Sequence, residues 1–224
     1  MRRAAAWICS FVVMSATVEP AWNWSTPREV APGLSRWTAP HPDWRPSKRP
    51  GSEDDWEQMV GSVLYETTDA VVLFDPLMPV ADRALWDWFK ARLRGRRVVV
   101  LTTLKWHRRS RDDFVERYGA ATSSARQSLP RGVEAIRLRG AGETLFWLPE
   151  PGALVVGDRI LADGRGGLRM CPDSWMSYLA PPVPQAQLRR LLAPVAELPV
   201  KLVLVSHGEP VLTGAAPALR ALLH

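Results

Sequence analysis

Residues Val98-Val99-Val100-Leu101 constrain this 224-residue chain more than any other stretch. Four uncharged β-branched or leucyl residues in succession suit a strand buried on both faces. Polarity reverses directly afterwards. Past Thr102 and Thr103, Lys105, His107, Arg108 and Arg109 crowd into five positions. Residues 112–118 then carry a short helix that Gly119 closes, glycine being the residue that most readily adopts the left-handed conformation of a helix end. Open α/β sheets place their chemistry on side chains just past the end of such a strand.

The rest of the chain supplies partners for that strand. Val30–Trp37 reads as a strand interrupted at Pro32-Gly33. Residues 60–66 and 70–75 form a hairpin around Thr67-Thr68-Asp69. Apolar residues at 84, 85, 88, 89 and 93 give residues 81–93 a helical period. Three short strands at 133–138, 144–148 and 153–156 lead to Gly157-Asp158. Residues 163–167 read as a flexible loop that continues from Cys171 to Trp175. An amphipathic helix at 187–198 precedes a buried strand at 202–205, which breaks at Ser206-His207-Gly208, and a helix at 215–223 follows. The stretch from Ala39 to Asp55 is a long surface loop with packed tryptophans. Hairpins first, then strands alternating with helices, predict two sheets with helices outside.

Composition enters where class is at issue. With 46% apolar residues and eleven tryptophans the chain forms a folded domain, assigned to residues 30–224. Net charge is +6, with 25 arginines against four lysines spread along the chain, which permits an anionic partner without demanding one. The basic runs at 92–97 and 105–111 lack an interleaved stacking platform, so nucleic acid is not the expected partner. Residues 1–29 are set apart as an N-terminal extension. Within it, residues 1–18 imitate a signal peptide and are too short for a comfortable membrane span, and an over-long start explains them equally well. The expected compartment is the cytoplasm, or outside it if residues 1–18 are a genuine signal; membrane association is not expected. Cys9 and Cys171 give no disulfide framework.

Four landmarks in order carry a resemblance. They are Val72-Leu73-Phe74-Asp75-Pro76, the strand into Thr102–His107, the run Leu148–Asp158 with its Gly157-Asp158 ending, and Val205-Ser206-His207-Gly208. Together they resemble the metallo-β-lactamase fold, in its glyoxalase II-like hydrolase branch. The resemblance implies an α/β αββα sandwich with a metal site at the sheet edges. It also implies one or two ions, usually zinc, held by a His-x-His-x-Asp-His motif, a later His, a bridging Asp and a final His, and used to activate water.

The chain departs from that motif, for it holds no His-x-His. In one register Thr103, Lys105, His107 and Arg108 stand at the motif positions. In another, His107 takes the last histidine position and Trp106 that of the Asp. The later histidine falls near Arg139, Asp158 matches the bridging Asp and His207 the final His. Two readings stay open. Either His107, Asp158 and His207 hold a single zinc or other divalent ion, with Asp158 orienting water and Lys105 or Arg139 stabilising an oxyanion. Or no metal binds, and Lys105, Arg108 and Arg139 replace its charge. The first gives a hydrolase for a small ester or thioester, and the second a non-catalytic binding or scaffold domain. In both the partner is a small molecule, anionic where Lys105 or Arg139 receives it. Asp75 is expected to orient a neighbour or hold a loop, Cys171 to be buried and inert, and His41 and His224 to be exposed.

Overall fold

The computed structural model describes residues 23–79, 81–122 and 129–223. The signal-like segment 1–18, Cys9 and His224 lie outside the described residues.

The first sheet is built from β1 (Arg28–Ala31), β2 (Leu34–Pro40), β3 (Met59–Glu66), β4 (Val71–Phe74), β5 (Val98–Leu101) and β6 (Ala121–Thr122), in that spatial order. β1 to β4 pair antiparallel, with short turns between β1 and β2 and between β3 and β4 and the long loop 41–58 between β2 and β3, whereas β4, β5 and β6 run parallel. The crossovers are α1 (Arg83–Leu93) and α2 (Arg111–Tyr118). Gly119 caps α2 at φ 62°, as expected. The second half adds β7 (Glu134–Leu138), β8 (Glu143–Leu148), β9 (Ala153–Val155), the hairpin of β10 (Ile160–Ala162) and β11 (Leu168–Met170), α3 (Gln185–Leu192), β12 (Leu202–Leu204) and α4 (Ala215–Leu223). The second sheet has the order β12-β9-β8-β7, with β12 parallel to β9.

The two-residue period of the strands sorts side chains into layers. In β4, Val71 and Leu73 face Leu85, Phe89 and Leu93 of α1 and Phe114 of α2. Their neighbours Val72 and Phe74 face the opposite way and meet Phe146, Leu148 and Val155 of the second sheet. β5 alternates likewise: Val98 and Val100 lie toward the helices, Val99 and Leu101 between the sheets. The outer face of the second sheet, with Leu145, Trp147 and Leu154, is covered by Leu188 and Leu192 of α3 and Leu219 and Leu222 of α4. The order of layers is helix, sheet, sheet, helix, the expected αββα sandwich.

Two local readings are corrected. Residues 160–170 are a two-stranded hairpin, with the expected loop 163–167 as its turn. The helix expected over 187–198 starts at Gln185 and gives way to a 3-10 segment from Ala193, because Pro194 has no N–H for an α-helical bond. The basic pair Arg96-Arg97 is tied down: Arg96 bonds Glu66 and Arg97 lies 3.3 Å from Asp69 on the β3–β4 hairpin. Residues ahead of the expected boundary at 29 already pack, with Thr38 N–H donating to Trp24 O at 2.7 Å.

Candidate metal centre

Four strands end at one edge, where the two sheets meet. Asp75 follows β4, His107 lies in the turns after β5, Asp158 follows β9 and His207 follows β12. His107, Asp158 and His207 are all buried, and one ligand atom from each lies within 4.8 Å of the others. His107 Nε2 and His207 Nε2 stand 3.1 and 3.3 Å from the same oxygen, Asp158 Oδ1. That oxygen is buried yet accepts no well-formed hydrogen bond. Two imidazole nitrogens and an unsatisfied carboxylate oxygen facing one point are a donor set suited to a divalent ion.

Each of these three side chains has its own support. Asp75 accepts Thr103 N–H at 2.8 Å, the Thr103 hydroxyl, and His107 Nδ1–H at 2.9 Å. A carboxylate behind a histidine fixes the ring and directs its other nitrogen to the metal. Glu143, the first residue of β8, is buried and accepts three successive amides, Gly157, Asp158 and Arg159, at 2.8 to 2.9 Å. It thereby sets the backbone that carries Asp158. The His207 turn is held by Gly61 N–H donating to Ser206 O at 2.7 Å and by Arg36, whose guanidinium donates to Gly208 O at 3.0 Å. Gly208 sits at φ 89°, and a Cβ there would lie 2.6 Å from Ala162 Cβ, so this turn requires glycine.

Charge is concentrated here. Burial pulls His107 down, but Asp158 and Asp75 outweigh both burial and Arg109, raising it to about 9. Burial pushes Asp158 up, yet the charge and approach of His107 and His207 hold its carboxyl well below the usual range. Glu143 is raised to about 7 by burial and by Asp158, against its three amide donors and Arg159. Arg109 is depressed by burial, with Asp75 and Asp158 opposing.

A chamber of about 210 Å³ lies over the cluster, lined by His41, Trp56, Trp106, Arg109 and Trp175 besides the three ligands. Trp56 and Trp175 meet the His207 ring edge-on, with centroids at 5.2 and 5.4 Å. Trp106 donates its indole N–H to Asp158 Oδ2 at 3.1 Å, which leaves Oδ1 for the cluster.

The chain resembles solved structures over 88% of its length. These include the DIM-1 metallo-β-lactamase, with 11% identity, 94% of that chain covered and a TM-score of 0.58. A metallo-β-lactamase from Erythrobacter litoralis shares 16% identity over 89% of its length, with a TM-score of 0.56. The NDM/FIM-1-like enzyme of that organism, solved in a mono-zinc form, shares 15% over 94%, with a TM-score of 0.54. The chain has the metallo-β-lactamase fold. No protein-family model matches the sequence, and no curated protein matches it by sequence. Among the described residues no helix is long and apolar enough to cross a membrane.

Within this metallo-β-lactamase fold, His107, Asp158 and His207, the ligand set expected from the sequence, come together. Lys105 and Arg139 do not join them. Both are exposed and neither lines the chamber. Leu104 turns inward to bridge Glu143, which sends Lys105 outward, and Arg139 sits on the turn between β7 and β8. Arg109 lines the chamber instead, its guanidinium donating to Gly61 O at 2.8 Å and Asp75 O at 2.9 Å. His41 is half-buried in the chamber wall, not exposed as expected. Cys171 is buried, and burial raises its thiol to about 11, so it is inert. Glu143, Trp56 and Trp175 were not singled out from the sequence. A lone carboxylate opening the apolar run Glu143–Leu148 was the one available signal.

Proposed function

We propose that the chain is a hydrolase that holds one divalent ion, zinc in the first place, on His107, Asp158 and His207, and cleaves a small ester or thioester. The observation that carries this reading is the buried Asp158 Oδ1, unsatisfied between two Nε2 atoms. Two histidines and one carboxylate leave coordination positions open, as catalytic rather than structural sites do. An ion there supplies Lewis-acid polarisation of the scissile carbonyl and acidifies water toward neutral pH.

The remaining work falls to the chain's own side chains. Asp75 keeps the His107 ring in one orientation, and Trp106 keeps Asp158 from rotating. Arg109 supplies a fixed positive charge at the chamber wall, the role expected of Lys105 or Arg139, against charge that develops on the substrate oxygen. The tryptophans exclude bulk water, which strengthens each of these interactions.

Elemental analysis of protein purified without chelator or affinity metal tests the reading. About one ion per chain is expected, lost in His207→Ala, together with turnover in ester and thioester screens. No metal in either sample, and no response of folding to added zinc, overturns it. A second reading, a binding domain that has lost its metal, is favoured by the His107–Asp158 contact, which balances the two buried charges without an ion. In that case His207→Ala changes stability only.

A further inference from the structure

The chamber over the cluster has room for roughly seven water volumes. It admits a reacting carbonyl with a short acyl group and little else. Beside it lies a groove of about 960 Å³, large enough for a whole small molecule. The two spaces share His41, Trp106 and Arg109 as walls. The groove thus adjoins the chamber and offers space to the part of a molecule that the chamber does not hold.

The groove has a definite chemistry. Trp44, Trp86 and Trp106 give it flat apolar walls, and Trp106 is 47% exposed. The Arg117 guanidinium stacks on the Trp86 ring, 4.1 Å from its centroid. Arg45, Arg109 and Arg117 outnumber Asp43 and Asp113 along it. Arg109 has a buried Nε without a hydrogen-bond partner and a backbone φ of 40°, a conformation costly for a residue with a side chain.

We propose that this groove recognises the leaving group of the substrate, selecting one that joins a flat aromatic body to an anionic group. The inference rests on the hydrolase reading above and adds the substrate class. In the reaction, water oxygen bonds to the acyl carbon and the C–O or C–S bond breaks. The leaving group departs with that electron pair and takes up a proton from the water. Arg117 meets its anionic group, Arg45 adds positive charge along the groove, and the indoles meet its ring.

Calorimetric titration of the full chain, metal-loaded and metal-free, with 2-naphthoate, 2-naphthamide and acetate reads the groove directly. The expected result is naphthoate binding about tenfold tighter than either of the others in both metal states. Arg117→Gln removes most of the advantage over the amide, and Trp44→Ala, in a surface loop, weakens both aromatic probes. Equal binding of acetate and naphthoate, or binding only when metal is present, overturns the inference. Hydrolysis of 2-naphthyl acetate and its 6-sulfonate then separates the two claims. Selective binding without turnover keeps the groove and sinks the hydrolase. Turnover without preference for the sulfonated ester does the reverse.

Discussion

Asp75 holds φ at 46°, and its two oxygens receive the Thr103 amide, the Thr103 hydroxyl and His107 Nδ1–H. Asparagine tolerates the same backbone conformation, so Asp75→Asn changes the chemistry with little backbone cost. Its amide offers one acceptor oxygen, while its NH2 faces groups that themselves donate. A supporting carboxylate of this kind is worth about 10- to 100-fold in metal affinity. Chelator competition is expected to show a loss of that size in Asp75→Asn, and an unchanged affinity would remove Asp75 from the site. Glu143 makes the parallel case for the backbone. Three amides share its two oxygens, and Glu143→Gln sets one NH2 against them. The expected cost is about 1–3 kcal/mol, read by denaturant unfolding.

The ends of β5 and β9 press against each other at Gly157. A Cβ there would lie 2.4 Å from Leu104 Cδ1 and 2.5 Å from Thr103 Oγ1. Gly157→Ala must therefore push the Asp158 strand end away from the turns that carry His107. A loss of about 1–3 kcal/mol is expected, with metal affinity falling in the same variant. Stability and affinity both at wild-type values would show that the contact yields freely. The same strands show what the sequence can reveal. β4, β5, β9 and β12 were legible because each is a short, uninterrupted apolar run, and His107, Asp158 and His207 were singled out because the resemblance to the metallo-β-lactamase fold places ligands after such strands. β10 and β11 were not, since three residues apiece around a glycine-rich turn give no period to count. The register of residues 102–109 was equally opaque. Lys105 and Arg109 are both cations near a strand end, and only the run of turns over residues 105–110 leaves Lys105 exposed and sets Arg109 on the chamber wall. Trp56, in a loop, and Trp175, in the 3-10 turn Asp173–Met176, are 119 positions apart, and their meeting over His207 is a long-range contact that no local pattern encodes.

His107 comes from the six-stranded sheet, whereas Asp158 and His207 come from the four-stranded sheet. An ion on all three would thus fasten the two sheets together at their shared edge, and its binding energy would appear as stability of the whole sandwich. In the metal-free protein the same edge is held by charge. His107 is raised from 6.5 to about 9, so its contribution is complete below about pH 6.5 and is lost as pH rises through about 9. Glu143, raised from 4.5 to about 7, adds a loss in the same direction as pH rises through about 7. Asp158 is depressed, so its contribution is present above its ordinary 3.8 and falls only toward stronger acid. His107 and Glu143 together weaken the metal-free sandwich between about pH 5 and 9, while the Asp158 contribution stays constant there. Metal binding has the opposite slope, because His107 must lose its Nε2 proton to coordinate. At an ion concentration 100 times Kd the stabilisation is about 2.7 kcal/mol. The interval between the Tm of loaded and chelator-treated protein is therefore expected to widen from about pH 6 to pH 8.5, the chelated form carrying most of the change. A constant interval would mean that His107 is not a ligand. No interval at any pH would mean that no ion fastens the sheets, which the apolar core between them, the Gly61–Ser206 bond and the His107–Asp158 pair then hold without one.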